Sequence, residues 1–263
     1  MHLCTIQEIP EILHLLRSDI PNCFYMYVDI ARYGIEHPAM RVWLARGQNG
    51  NINAVVMKYF NSMQVYTLSG ADMEAIATHI QVENVPIITG TADACETIML
   101  FLSPAYSCSN GWIFEVDHCR LFNCPDAIET AREEDLPECA ALVCSDPQIG
   151  GHYDIRSLTR QFIERQREGM GRNYLIRKEG QIIAHVATYA EFENLVMVGG
   201  LIVHKKWRNK PYGLCLSTFL FNNLLKENKH CFTTVNTEQR AQLWKNLGAS
   251  KFWRNGKIRY ITK

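Results

Sequence analysis

The sequence repeats itself, weakly but in a fixed order. Ile9-Pro10-Glu11 returns as Leu136-Pro137-Glu138, and Leu16-Arg17-Ser18-Asp19 returns as Val143-Cys144-Ser145-Asp146, both 127 positions on. A capping-box pattern precedes each copy, Thr5 to Glu8 and Thr130 to Glu133. This predicts a helix starting near residue 9 and another over 133–145. Each carries its proline in the first turn, where a missing N–H costs little. A second echo follows. Arg41–Arg46 with Gly50 and Ile52–Met57 reads as two strands around a turn, and so does Asn173–Arg177 with Gly180 and Ile182–Ala187. Echoes in the same order predict two copies of one fold. The best boundary is the stretch Asn123 to Asp126, where Pro125 interrupts strand pairing. The expected domains are therefore 1–125 and 126–263.

Composition removes several classes of function. Of 263 residues, 47% are apolar and 21% charged, which is ample for globular cores. The formal net charge is zero, against a nucleic-acid surface spread over the chain. No apolar run is long enough to span a membrane, and residues 1–8 show no secretory pattern, so the expected location is cytoplasmic. The ten cysteines form no C-x-x-C pair and no zinc-like spacing with histidine. They read as reduced thiols, several in cores, such as Cys139 and Cys215, and no metal site is expected.

The two halves part where chemistry would sit. In the second, Leu195–Val203 is apolar and β-branched, a buried strand. His204–Lys210 is a basic turn. From Gly213 onward, Leu216, Phe219, Leu220 and Leu224 fall at helical spacing. Strand, basic loop and helix start together make an anion site, because the first helical N–H groups lack internal partners and the dipole is positive there. Most basic loops are merely solvated, and the bland alternative stands beside this one. In the first half, Met63–Leu68 leads through Ser69–Asp72 into a helix with no basic glycine loop. The other expected elements are strands at 86–89 and 112–122, a helix at 92–102, a helix at 157–167, and strands at 174–177 and 182–190. After residue 230 come a strand at 231–235, a helix at 238–247 stopped by Gly248, and a strand at 253–261.

The loop from Arg208 to Gly213 resembles the arginine-x-x-glycine-x-glycine loop of the GNAT superfamily of acyl-CoA-dependent N-acyltransferases. Arg208 and Gly213 match. Pro211 stands where the middle glycine is expected, and it has no N–H to donate. The end of the chain is similar to the family's closing motif. Asn236, Ala241, Leu243, Leu247 and Gly248 match in order, with Trp244 in the place of the usual tyrosine. The resemblance implies a GNAT fold for 126–263. That is an α+β sandwich whose mixed, mostly antiparallel sheet is flanked by helices. The first half would be a degenerate copy in tandem, as in proteins resembling glycine N-acyltransferases. It further implies acetyl-CoA or another acyl-CoA as cosubstrate, with no metal. Leu201, Ile202 and Val203 would lie along the pantetheine. Arg208, Asn209, Lys210, Tyr212, Gly213 and Leu214 would cradle the pyrophosphate, and Asn236 and Trp244 would complete the site. The implied partners are the acyl-CoA and an amine acceptor, on a small molecule or a protein. No nucleic acid or membrane is expected, and the state is monomer or homodimer.

Acyl transfer to an amine needs a polarised carbonyl, a base and an acid. A backbone N–H at a bulge would polarise the carbonyl, and Gly199-Gly200 is the candidate, unless the pair only makes room for a helix. Glu193 is the first candidate base. Glu191 and His185 are others, and each also reads as a structural residue. Indole cannot donate a proton as an acid, so Trp244 reads as an apolar wall. Tyr212 is the candidate acid, and unaided departure of the thiolate is the alternative. The acceptor would meet residues 146–170, with His152, Tyr153 and Asp154 as candidates. Two other readings remain open, a non-catalytic acyl-CoA-binding module and a structural protein.

Overall fold

The computed structural model describes residues 1–147, 149–151, 153–249 and 251–261. The chain divides into two compact units. One holds Met1–Ile113 with Val235–Thr237 and the stretch from Phe252 onward; the other holds Phe114–Thr234 and Glu238–Lys251.

The first unit runs β1 (His2–Leu3), α1 (Ile9–Arg17), α2 (Ile20–Tyr33), β2 (Met40–Arg46), β3 (Ile52–Tyr59), β4 (Ser62–Thr67), α3 (Met73–Glu83), β5 (Ile87–Thr91), α4 (Ala92–Met99) and β6 (Tyr106–Val116). The second runs β7 (Glu129–Thr130), α5 (Leu136–Cys144), α6 (Ile155–Arg167), β8 (Asn173–Lys178), β9 (Gln181–Phe192), β10 (Leu195–Val203), α7 (Tyr212–Lys226), β11 (His230–Val235) and α8 (Glu238–Asn246), after which β12 (Lys251–Tyr260) completes the second series of elements but clusters from Phe252 onward with the first unit. The order is the same twice. So is the pairing. β1 to β4 are antiparallel and β4 meets β5 in parallel. β7 to β10 are antiparallel and β10 meets β11 in parallel. β12 pairs antiparallel with β5, Ile258 opposite Ile88, so the chain's last strand is part of the first unit's sheet. Ile258, fully buried, packs there with Val56, Met63, Ile80 and Ile98.

In the second unit helices cover both faces of the sheet. Adjacent strand residues point to opposite faces. Leu175 enters a core with Leu136, Cys139, Leu158 and Phe162 from α5 and α6, while Tyr174 meets Phe219 of α7 edge to face, ring centroids 5.4 Å apart. The amphipathic stripe of α7 buries Leu216, Leu220, Phe221 and Leu224. All ten cysteines are free, with Cys139 and Cys215 buried. No helix among the described residues is long and apolar enough to cross a membrane.

The structure departs from the sequence expectation in several places, among them the short edge strands β1 and β7. Helix α2 was not anticipated. It buries Cys23, Phe24, Met26, Tyr27, Val28 and Ile30 around much of its girth, so no single apolar stripe marks it, and Cys23 breaks the helical dihedrals at φ −139°. Strand β6 runs Tyr106–Val116 instead of 112–122. The second capping box is not at Thr130–Glu133. The Arg132 N–H donates to Asp135 Oδ2 at 2.9 Å, as the Thr5 N–H donates to Glu8 Oε2 at 3.0 Å. Those pairs are also 127 positions apart.

Candidate functional site

The site grows out of a break in β10. Its parallel ladder with β11 covers Leu195–Val198 opposite His230–Thr233 and then ends, though β10 continues to Val203. On the other edge, register with β9 shifts between Met197 and Val198 and again between Gly199 and Ile202. Gly200 takes φ +63° at this bulge, a conformation that L side chains adopt at a cost. What fills the room left by the two glycines is the ring of Tyr189 on β9, not a helix. A Cβ on Gly199 would stand 2.8 Å from that ring, and one on Gly200 2.8 Å from its hydroxyl. A strand that is bulged on one edge and unpaired on the other leaves backbone groups for a ligand.

Beyond Val203 the loop is tied down by charge. Arg208 donates through Nε to the Val203 carbonyl at 3.1 Å and through Nη2 to Asp146 Oδ2 at 2.8 Å. The Asp146 side chain is 10% exposed and that of Arg208 43%, so the buried face of the guanidinium is committed while its outer face meets solvent. Lys210 and Asn209 are exposed. The Lys210 amide is spent within the turn on the Trp207 carbonyl at 3.1 Å.

Pro211 occupies the N-cap of α7 and gives it no side-chain cap. The first bond of the helical ladder runs from the Cys215 N–H to the Pro211 carbonyl at 2.9 Å, so the amides of Tyr212, Gly213 and Leu214 precede the ladder. At an N-cap the missing N–H of proline costs the helix nothing. A Cβ on Gly213 would meet Val203 Cγ2 at 3.4 Å, which brings the helix start against the end of β10. Ile202 faces the α5–α6 core and offers a ligand only its backbone. Leu201 and Val203, half-buried, point the other way.

The other candidates fall in several places. Tyr212 is buried, and its hydroxyl donates to Asp126 Oδ2 at 2.5 Å; Lys178 Nζ joins the same oxygen at 3.1 Å and lies 5.0 Å from the Trp207 ring centroid. The Tyr212 bond, then Lys178, holds the Asp126 carboxyl below its usual range, and Asp126 in turn raises the Tyr212 phenol. Trp244 is buried on α8, edge to face with Phe221 at 5.0 Å, which is a packing role. Asn236 lies in the segment Val235–Thr237, which clusters with the first unit. Glu193 sits in the β9–β10 turn at φ +52°, and its carbonyl accepts from Lys229 Nζ at 2.7 Å. At about 3.3 Å per residue, Glu193 is roughly 20 Å along the strand from the bulge.

Glu191 is buried, unlike the solvated hairpin residue expected. Thr188 donates to it at 2.7 Å and Arg172 at 3.0 Å, and Arg172 also grips Glu227. His185 is fully buried, and burial pushes its pKa down to about 4. Tyr153 packs against the α5–α6 core. Asp154 accepts from the Ser157 N–H at 2.9 Å as the N-cap of α6, a helix-starting task. His152 lies outside the described residues. Asp146, Asp126, Lys178 and Tyr189 were not anticipated as site residues. Asp146, Asp126 and Lys178 act through partners distant in sequence, such as Arg208 for Asp146, and no spacing announces such pairs; Tyr189 acts across the β9–β10 hairpin on Gly199 and Gly200.

Solved structures share this architecture. A Drosophila protein aligns over 98% of this chain and 97% of its own, with TM-score 0.66 and 16% identity. A GCN5-related N-acetyltransferase-like protein from Streptococcus suis aligns over 97% and 100%, with TM-score 0.63 and 12% identity. A tandem GNAT protein from the clavulanic acid biosynthesis pathway aligns over 100% and 98%, with TM-score 0.60 and 12% identity. No protein-family profile and no curated protein sequence matches the chain. The fold is GNAT, two copies in tandem.

Proposed function

We propose that the second unit binds an acyl-CoA, with acetyl-CoA the first choice, and passes its acyl group to an amine. The observation that carries this is the uncapped start of α7 at the end of a bulged strand that has left its parallel partner. The amides of Tyr212, Gly213 and Leu214 would hold the pyrophosphate, with Lys210 and the outer face of Arg208 adding charge. The pantetheine would lie along Leu201–Val203 in the place of the missing ladder. The amine lone pair would attack the thioester carbon, the C–S bond would break, and the amine's proton would leave. Because Tyr212 already donates its hydrogen bond to Asp126, which raises that phenol, Tyr212 anchors the helix start, and the thiolate departs without it. Glu193 remains the proposed base only through a chain of water along the strand. Trp244, behind Phe221 of α7, is proposed as an apolar wall of the ligand site.

One observation favours a second reading, a module that binds acyl-CoA without turning it over. Glu191 is spent on Arg172, Tyr212 on Asp126, and Glu193 is remote, so among these candidates none sets a free acid or base at the bulge.

Calorimetric titration with acetyl-CoA tests the site. Micromolar binding that Lys210→Ala weakens about tenfold, the loss of a surface charge beside a pyrophosphate, is expected. Silence toward acetyl-CoA and longer acyl-CoAs would refute both readings. Release of free thiol in the presence of a panel of amines separates enzyme from binding module.

A further inference from the structure

The bulge of β10 is held from behind by a buried histidine. His185 lies on β9 with no exposure, its ring against Phe162 at 5.3 Å between centroids. Nδ1 is 3.3 Å from the Gly200 carbonyl, and Nε2 is 3.1 Å from Asn173 Oδ1. The chain of contacts continues from Asn173 to Gln166 at 3.0 Å and from Gln166 to the Ala131 carbonyl at 3.1 Å. It thus begins and ends on carbonyls. Four contacts between two acceptors need four donors, and neutral imidazole with two amides supplies only three. One contact must therefore fail, and the cheapest place is the end nearest water. Gln166 is half-buried, whereas His185 and Asn173 are fully buried. With both amides turned by half a revolution, Nδ1–H donates to Gly200, Asn173 donates to Nε2, Gln166 donates to Asn173, and the mismatch moves to Gln166, where water can take it.

Peptide planarity converts this contact into a direction. The C=O of Gly200 and the N–H of Leu201 belong to one trans peptide and point opposite ways. His185 draws the carbonyl toward β9, so the Leu201 N–H is turned toward the side where β10 has left β11. We propose that His185 is a positioning residue. By holding the Gly200 carbonyl through Nδ1–H, it aims the Leu201 N–H at the thioester carbonyl of a bound acyl-CoA. The inference rests on the acyl-CoA reading above. Such a fixed donor costs no reorganisation when negative charge develops on the carbonyl oxygen.

The experiment compares His185→Asn, His185→Gln and His185→Leu with the parent chain. The asparagine amide nitrogen falls where Nδ1 stood, and the glutamine nitrogen where Nε2 stood. All four chains are expected to bind acetyl-CoA within about threefold of one another, because the pyrophosphate end is untouched. The readout is the thioester carbonyl stretch of bound acetyl-CoA by isotope-edited infrared difference spectroscopy. A shift to lower frequency is expected in the parent and in His185→Asn, with a return toward the free value in His185→Gln and His185→Leu. An equal shift in all four overturns the proposal. Imidazole nitrogen NMR on the unliganded parent needs no variant and no ligand. The Nδ1–H tautomer is expected, and Nε2–H overturns the proposal even if every variant unfolds. Failure of the parent to bind acetyl-CoA while showing Nδ1–H would instead sink the acyl-CoA reading.

Discussion

Helices α3 and α7 hold the same place in the two copies, and they begin in opposite ways. Asp72 caps α3 with its own carboxylate, which accepts from the Ala75 N–H at 3.0 Å. Pro211 leaves α7 without a side-chain cap. The strands that lead in differ as well. β4 pairs with β3 from Ser62 to Thr67 without a register shift, whereas β10 shifts twice against β9. The β4–β5 ladder also stops before β4 does, after Gln64 opposite Thr89, but at the next residue a Cβ on Gly90 would still lie 2.7 Å from the Val65 carbonyl. An anion site of this kind is a helix end that the chain leaves unfinished. The first copy completes its helix with an internal anion, and so leaves no such end for an external one.

The largest expected effect comes from making α7 resemble α3. Pro211→Asp puts a carboxylate on the helix start and should lower acetyl-CoA affinity about a hundredfold, close to 2.7 kcal/mol, while raising stability by up to about 1 kcal/mol as a cap. Pro211→Gly restores an amide without charge and should raise affinity about fivefold, the worth of one hydrogen bond. The mirror change, Asp72→Ala, should cost about 1 kcal/mol and create no affinity, since the turn before α3 carries no basic residue to match Arg208 and Lys210. Calorimetry and urea unfolding read all three. Equal affinity in Pro211→Asp and the parent would remove the anion from the α7 start.

The bulge and a plain turn make the next comparison. Gly200 and Gly70 both have positive φ, +63° and +80°. A Cβ on Gly70 meets nothing within 4 Å, while one on Gly200 strikes the Tyr189 ring and hydroxyl. Gly70→Ala should cost about 1 kcal/mol for the dihedral alone. Gly200→Ala adds the displacement of a packed aromatic ring and should cost about 3 kcal/mol. Similar losses in urea unfolding would mean that Tyr189 gives way freely and that the bulge is not held by it.

Much of this was legible because it is local. The offset of 127 in Pro10 and Pro137 survives in the helices and in the caps at Thr5–Glu8 and Arg132–Asp135. Applying the offset to Thr5 would have pointed to residue 132, but arginine there hid a box that its backbone N–H makes as well as threonine's does. The glycine pair, the basic turn and the helix start could be read because each needs particular residue types at consecutive positions. Partners could not be read. Asp146 meets Arg208 62 positions away, and Asp126 meets Tyr212 86 away. Nor does the final stretch announce that it pairs with β5. Its alternation suits any sheet edge of matching register.

The smallest effect separates the two copies by pH. Glu8 and Asp135 occupy equivalent cap positions; Asp135 pairs with Arg177 at 2.6 Å, whereas Glu8 faces both His2 at 2.9 Å and Arg46 at 3.1 Å. The Thr5 amide first, and then His2, draw its pKa from 4.5 down to about 2. A carboxyl depressed by folding stabilises above its unfolded pKa, and that contribution is lost as pH falls through the folded value. The gap in urea stability between the parent and Glu8→Gln should therefore be complete at about pH 5.5, where Glu8 is ionised in both states. It should shrink between about 4.5 and 2, the window over which the unfolded chain takes up the proton first. Asp135→Asn, measured alongside, removes the equivalent cap of the other copy, where the cationic partner is Arg177. A gap for Glu8→Gln that persists unchanged to pH 2 would show that the carboxylate acts as a neutral acceptor for Thr5 and that its charged partners contribute nothing.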